Sequence, residues 1–393
     1  MDTLNELREG LDAAGREIVE RLKERLDVVA EVARLKAEGL PFPRDHAREA
    51  EVVERAGMRA RELGLDATRV REVVRELLAM SVRVQGEALS RRNRAALSER
   101  NACRVAYQGG PDSYSHLAAQ KLFAHRAAEM EYVGLPTFAA ALREAESGEA
   151  GYALLPIENT TAGSINETYD LLRHTELSIV GEEVWDVRHC LLALSAVAPS
   201  SLRRILSHPQ ALAQCGRFLA SLPDVEPVVF VDTAEAARRV RENGDPGQAA
   251  IASEEAGQRF GLAVIARDIA DQPENWTRFV LISAIESTPD PRVPAKTSLV
   301  LTTPHRHGAL AHCLAMIADR GLNLTKLESR PVPRRPWEYM FYLDFEGSLA
   351  DEAAAAAVAA LRGYCPHLKV LGSYPARTTE PGQVDEVGGG ETS

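Results

Sequence analysis

The feature that most constrains this chain is a long helix whose buried stripe carries cations. Residues 4–38 read as one helix. Arg8, Leu11, Gly15, Ile18, Leu22, Arg25, Val29, Val32 and Lys36 follow one another at alternating steps of three and four and so share one face. Between them stand Glu9, Arg16, Glu17, Glu20, Lys23, Glu24, Asp27, Glu31 and Arg34, which mark the other face as solvated. The stripe is therefore expected to be buried, with three cations on it. Burying an unpaired cation costs several kcal/mol, so Arg8, Arg25 and Lys36 should meet anionic groups. Long side chains can also snorkel, or pair with Asp or Glu of a neighbouring helix. Arg8 and Arg25 lie 17 residues apart, about 25 Å along the axis. One small dianion cannot touch both. If both arginines serve one ligand, an antiparallel copy of the helix supplies one of them, and the seam predicts a homodimer with a shared site.

A chain of 393 residues, 45% apolar, is long enough for two to four domains. Its net charge of −11 argues against nucleic acid or an anionic membrane as partner. Anionic small molecules would then be held by local arginine and lysine clusters. Met1-Asp2-Thr3 leads straight into the charged helix without an apolar targeting segment, and no later run is long enough to cross a membrane, which predicts a cytoplasmic protein. Cys103, Cys190, Cys215, Cys313 and Cys365 are scattered without metal-ligand spacing and read as structural thiols.

Residues 1–95 read as all helix, broken at Pro41 and Pro43 and again at Gly64-Leu65-Asp66, where Asp66 can cap a third helix. Asp45, Arg48 and Glu49 share a face of the second helix. Ser81 and Gln85 are one turn apart on the apolar stripe of the third. From 103 to 285 short apolar runs alternate with helical stretches, an α/β pattern read as mainly parallel. Ligands of such sheets sit at strand carboxyl ends, here the polar loops 108–115, 156–164 and 207–210. After the proline-rich linker 289–294, residues 296–375 read as βαββαβ, a ferredoxin-like α+β unit. The tail 376–393 has the composition of a disordered segment.

Three stretches, Leu155-Pro156-Ile157-Glu158-Asn159-Thr160-Thr161-Ala162-Gly163-Ser164-Ile165-Asn166, Asn275-Trp276-Thr277-Arg278-Phe279 and Leu327-Glu328-Ser329-Arg330-Pro331, occur in this order behind the charged helical region. With them, residues 4–375 resemble the bifunctional chorismate mutase/prephenate dehydratase family with a C-terminal ACT regulatory domain. The resemblance implies a multidomain protein. An all-α mutase domain would span 1–95. A two-lobed dehydratase domain, similar to periplasmic binding proteins, would span 103–285, one lobe from 103–188 plus 265–285 and the other from 189–264. The ACT domain would occupy 296–375.

For the mutase the resemblance implies binding of chorismate by Arg8 of the partner chain with Arg25, Asp45, Arg48, Glu49 and Ser81, and donors to the ether oxygen at Lys36 and Gln85. A Claisen rearrangement of a dianion needs a held conformer and stabilised charge, with no cofactor and no metal. For the dehydratase it implies catalysis by Thr277 and prephenate binding by Ser113, Tyr114, Ser115, Glu158, Asn159, Thr160, Ser164, His208 and Arg278. Two positions depart from the family: Gly15 stands where an acidic residue is usual, and Asp112 where glycine is common. Gly308, Ala309, Leu310, Glu328, Ser329 and Arg330 match the motifs that sense L-phenylalanine, implying feedback inhibition in a homodimer or tetramer. Two other readings fit parts of the pattern: a monofunctional dehydratase with a helical dimerisation arm, and a non-catalytic amino-acid sensor.

Overall fold

The computed structural model describes residues 2–37, 46–75, 77, 78, 80, 81, 99–286, 289, 293–332 and 338–377. The chain divides into two compact units, Met1–Ala96 and Leu97–Ser393. In the first unit α1 (Asp2–Ala37) and α2 (His46–Glu62) are followed by α3, helical over 67–75 and at 77, 78, 80 and 81. Asp66 caps α3 as expected, its Oδ1 accepting from Thr68 N at 2.8 Å and Arg69 N at 3.3 Å.

Burial along α1 departs from expectation in a specific way. Leu22, Arg25, Leu26 and Val29 are half-buried, whereas every residue from 4 to 21 is exposed, Leu11 by 72% and Ile18 by 68%. The cause is length. A 36-residue helix is about 54 Å long, and the 17 residues of α2 span about 26 Å. A single chain can cover only part of the stripe. Gly10 lies on the solvated side of this helix and a Cβ there would meet nothing within 4 Å. Gly10→Ala is therefore expected to stabilise the helical unit by about 1 kcal/mol, seen as a higher urea midpoint by far-UV circular dichroism.

The second unit begins with α4 (Glu99–Ala102), β1 (Arg104–Gln108), α5 (Tyr114–Leu122), β2 (Glu131–Leu135), α6 (Phe138–Ser147), β3 (Tyr152–Asn159), β4 (Gly163–Ser164), α7 (Asn166–His174) and β5 (Ser178–Asp186). A second lobe follows, with β6 (Cys190–Ala193), β7 (Arg204–Ser207), α8 (Pro209–Gln214), α9 (Gly216–Ala220), β8 (Glu226–Val229), α10 (Thr233–Asn243), β9 (Gln248–Ala252), α11 (Glu254–Phe260) and β10 (Ala263–Ala266). The chain then returns to the first lobe as β11 (Trp276–Ser283).

The first sheet has the order β2-β1-β3-β11-β5 with β4 beside β3, and the second β10-β6-β9-β7-β8. The expectation of mainly parallel strands needs correction. β1 is parallel to β2 and β3, and β7 to β8 and β9, but β11 is antiparallel to β3 and β5, and β6 to β9 and β10. The antiparallel pairs flank the two crossings between lobes, where no crossover helix intervenes to restore direction. The pattern also hid β5, because the carboxylates Glu182 and Glu183 interrupt its apolar run and yet are buried.

The remainder is β12 (Ala295–Thr302), α12 (Ala309–Ala318), β13 (Leu324–Pro331), β14 (Tyr339–Glu346), α13 (Glu352–Tyr364) and β15 (His367–Pro375). Its antiparallel sheet has the order β13-β14-β12-β15. Leu299, Leu301, Leu343 and Phe345 on one face pack against Cys313 and Ile317 of α12 and Val358 and Leu361 of α13. The other face joins the first lobe: Val300, Tyr342, Leu371 and Tyr374 share one apolar core with Ile179, Val280 and Ile282. Of the tail, residues 378–393 lie outside the described residues. No helix among the described residues is long and apolar enough to cross a membrane.

Candidate active sites

In the helical unit, the half-buried Arg25 sends Nη2 to Ser81 Oγ at 3.5 Å. The buried Ser81 hydroxyl in turn donates to Leu77 O at 2.8 Å. Arg25 Nε is buried with no hydrogen-bond partner among the described residues, which leaves an unmet donor beside Ser81. Arg48 and Glu49 are on α2, with Arg48 exposed and bonded to Glu51 at 2.5 Å. Arg8 lies on the uncovered half of α1. Lys36 is in α1, but its side chain lies outside the described residues, as do Asp45 and Gln85. A Cβ at Gly15 would meet nothing within 4 Å among the described residues.

The second candidate is a cavity of about 450 Å³ between the two lobes. One wall carries Ser113, Tyr114, Ser115, Thr137, Asn159 and Thr277. The other carries His208, Gln210, Gln214 and Asp232, and His189 stands at the crossing. The register of β11 on β3 sets Thr277 opposite Asn159. Asn159 Nδ2 donates to Thr277 Oγ1 at 2.9 Å and to Asn275 Oδ1 at 2.7 Å. Its Oδ1 accepts from Thr161 Oγ1 at 2.7 Å and from Ala162 N at 2.9 Å, which fixes the amide. Thr277 Oγ1 is thus an acceptor already engaged, and its own proton remains to be given into the cavity.

A second chain of contacts joins the lobes. Asn275 Nδ2 donates to Gln214 Oε1 at 3.1 Å, so the 2.8 Å contact between that oxygen and His189 Nε2 needs the proton on histidine. Burial lowers the His189 pKa and keeps the ring neutral. Its Nδ1 is then an acceptor facing Tyr114 OH at 3.0 Å, whose one proton is shared with Arg188 O at 2.9 Å. Burial holds the Tyr114 phenol well above its usual pKa, so it stays protonated. His208 caps α8 through Nδ1, which accepts from Gln210 N at 3.3 Å, and burial lowers its pKa as well.

Among the described residues no arginine or lysine lines this cavity. The expectation that an anionic ligand would be met by a cationic cluster fails here. Instead Ser113, Thr137 and Asp232 cap the N-termini of α5, α6 and α10, and all three line the cavity. Helix N-termini carry partial positive charge and free N–H groups. Asp232 is the one capping carboxylate among them, and burial raises its pKa.

Four of the residues expected here face elsewhere. Glu158 pairs with Lys326 at 2.8 Å, and Arg278 pairs with Glu182 and Asp344, each at 2.7 Å. Ser164 Oγ donates to Glu328 at 2.6 Å, and Thr160 Oγ1 donates to Glu274 O at 3.1 Å. The reason is the two-residue alternation of a strand: with Asn159 and Thr277 pointing inward, Glu158 and Arg278 must point out. Asp112 adopts φ +64°, the region that favours glycine and that Asp tolerates better than most residues. Its carboxylate lies 2.8 Å from Arg259 Nε of the second lobe, so its charge is compensated. His189, Gln214, Asn275 and Asp232 were absent from the sequence-based set. Only Asn275 stood in a recognisable motif.

In the C-terminal part, Gly308 caps α12 at φ +72°, followed by buried Ala309 and half-buried Leu310. Glu328 accepts from Ser164 as above, Ser329 is exposed, and Arg330 lies 3.4 Å from Asp170.

A family model for chorismate mutase type II matches residues 7–86, and one for prephenate dehydratase matches residues 105–287. The bifunctional chorismate mutase/prephenate dehydratase of Escherichia coli K12 is 36% identical over 375 residues, which cover 95% of this chain and 97% of that protein. Among solved structures, a prephenate dehydratase from Arthrobacter aurescens in complex with L-Phe aligns with TM-score 0.63 at 32% identity, over 70% of this chain and 93% of that one. GqqA, described as a novel type of quorum quenching acylase, aligns with TM-score 0.62 at 34% identity, over 70% and 98%. With both catalytic regions matched in order along one polypeptide, this chain belongs to the bifunctional chorismate mutase/prephenate dehydratase family.

Proposed function

We propose the following division of labour in an enzyme that rearranges chorismate to prephenate and converts prephenate to phenylpyruvate. In the mutase, Arg25, Arg48 and Arg8 of a partner chain bind the two carboxylates, for which a guanidinium fork is suited. Asp45, Glu49 and Ser81 complete the pocket, and Lys36 and Gln85 donate to the ether oxygen as charge develops there. The support for a shared pocket is the exposed half of α1 together with the unmet Arg25 donor. An antiparallel copy of α1 would cover Leu11 and Ile18 and bring Arg8 to the partner's Arg25.

In the dehydratase, prephenate lies between the lobes with its carboxylates toward the N-termini of α5, α6 and α10. Thr277 hydrogen-bonds the departing hydroxyl. The carbon–carboxylate bond breaks and releases carbon dioxide, its electrons aromatise the ring, and the hydroxyl takes the Thr277 Oγ1 proton as it leaves as water, Thr277 regaining a proton from solvent. The observation that carries this reading is the Asn159–Thr277 hydrogen bond at the cavity wall. A donor bonded to Oγ1 polarises the hydroxyl and strengthens the bond it gives.

The C-terminal βαββαβ part is read as an ACT domain of ferredoxin-like fold that takes L-phenylalanine at Gly308–Leu310 and Glu328–Arg330. The matched Arthrobacter dehydratase was solved with that amino acid. The deciding experiment supplies the full chain with chorismate alone and follows phenylpyruvate by absorbance, with and without phenylalanine. Product is expected without added prephenate, and phenylalanine is expected to slow dehydratase turnover. Unchanged turnover at millimolar phenylalanine would remove the regulatory assignment.

Lys36→Ala is expected to lower mutase kcat by about 10²–10³-fold while dehydratase activity on supplied prephenate stays intact. Thr277→Val should do the reverse, lowering dehydratase kcat by about 10²-fold or more, with Thr277→Ser retaining most of it. Both are read by separate assays on the same purified protein.

A further inference from the structure

The outward faces of the two strands that hold Asn159 and Thr277 are clamped by buried ion pairs. Arg278 is next to Thr277 on β11, and Glu158 is next to Asn159 on β3; the register pairs them with each other. Arg278 gives Nε to Glu182 and Nη1 to Asp344, both at 2.7 Å, and Nη2 to Tyr374 OH at 2.9 Å. Asp344 also accepts from Ser298 Oγ at 2.6 Å, and Glu182 is held by Lys296 at 2.8 Å. Beside this cluster Lys326 reaches Glu158 at 2.8 Å and Ser164 Oγ at 3.2 Å. Asp344, Ser298, Tyr374, Lys296 and Lys326 all belong to the C-terminal part.

Such a cluster is a poor way to gain stability. Desolvating charges is costly, and apolar side chains of similar volume would do as well or better. What an ion-pair cluster does supply is direction, because each guanidinium and carboxylate fixes its partner in angle as well as distance. Here the groups so fixed are one residue away from the two that meet across the cavity wall. The contact is also backbone-close: a Cβ at Gly372 of β15 would clash with Ile179 O on β5, so the two sheets meet there backbone to backbone.

We propose that Arg278 and Glu158 are positioning residues, through which Asp344 and Lys326 of the C-terminal part set the placement of Thr277 and Asn159 for dehydration. The inference rests on the reading of Thr277 as the catalytic hydroxyl. It adds a route for regulation: Lys326, Glu328 and Arg330 alternate along β13 and all three face the first lobe, at Glu158, Ser164 and Asp170. A ligand that draws Glu328 away from Ser164 also alters the surroundings of the Lys326 ammonium and hence of Glu158. The two strand ends then shift together.

The test uses full-length protein and the pair Glu158–Lys326, because Glu158 is the most exposed of the cluster's charged groups. Lys326→Glu is expected to lower dehydratase kcat by about 10–100-fold, the size of effect that a small misplacement produces, with KM for prephenate little changed and mutase activity intact. The double variant Glu158→Gln, Lys326→Glu relieves the new contact between carboxylates without setting a lysine beside Arg278, which lies 3.9 Å from Glu158, and is expected to recover part of the lost kcat. Asp344→Asn should show the same split between kcat and KM. If Lys326→Glu and Asp344→Asn only lower the melting temperature and leave kcat of the folded protein unchanged, the cluster is merely structural and the proposal fails. It fails equally if the double variant is no better than Lys326→Glu alone. Should Asp344→Asn not fold, the single and double variants at Lys326 still decide. Full activity in Thr277→Val would instead overturn the underlying reading, independently of any result on these pairs.

Discussion

The antiparallel pairing of β3 with β11 is the constraint on which the dehydratase architecture depends. These strands are more than 100 residues apart in sequence, since Asn159 and Thr277 are separated by the whole second lobe. Only the return of the chain from that lobe brings them side by side. Once paired, the alternation of a strand leaves no freedom: Asn159 and Thr277 face the cavity, while Glu158 and Arg278 face the C-terminal sheet. One register decides both what the cavity contains and what ties it to its neighbour. A slip of β11 by one residue would put a guanidinium at the cavity wall and bury the hydroxyl in the interface.

The two candidate sites offer a dianion different physical means. In the helical unit the Arg25 guanidinium keeps a buried donor without a partner among the described residues. A reaction with no proton transfer and no covalent intermediate is well served by fixed full charges. The interlobe cavity offers capped helix N-termini, amides and neutral histidines. A reaction that expels carbon dioxide must weaken its hold on one carboxylate as that group loses its charge. Partial charges and hydrogen bonds suit this better than a guanidinium, which would stabilise the carboxylate most in the ground state.

Much of this was legible in the sequence where periodicity and chemistry agree. The caps, the α1 stripe and the βαββαβ order came from spacing alone, and the motifs gave Asn159 and Thr277. Other parts were not legible because no local pattern encodes them. Glu182 and Glu183 hid β5, since a buried carboxylate looks like a surface residue until its partners Arg278, Lys296 and Lys121 arrive from elsewhere in the chain. His189 sits at a lobe crossing, Gln214 at the end of α8 and Asp232 at the start of α10, where isolated polar residues are common. Glu158 and Arg278 were read as ligand contacts because a motif records which residues occur together but not which face of a strand each occupies. The uncovered half of α1 has the same origin in reverse: periodicity shows that a face must be buried but not by which chain.

The charge balance of the interface bears on how the C-terminal part can influence the cavity. Glu182 and Asp344 with Lys296, Lys326 and Arg278 form one buried cluster, and the partly exposed Glu158 at its rim brings the six groups to balance, with no excess of either sign. An apolar interface resists displacement almost equally in every direction, so a small change at its edge is absorbed by repacking. A balanced set of buried ion pairs behaves otherwise. Moving one member leaves its partner desolvated and unpaired, which costs several kcal/mol, so the cluster favours discrete alternative pairings over gradual drift. Glu328 and Lys326, both bonded to Ser164, lie on β13, an edge strand whose backbone has a sheet partner on one side only. A disturbance at that edge is therefore carried inward as a change of pairing, and the first strands it reaches are those that hold Asn159 and Thr277.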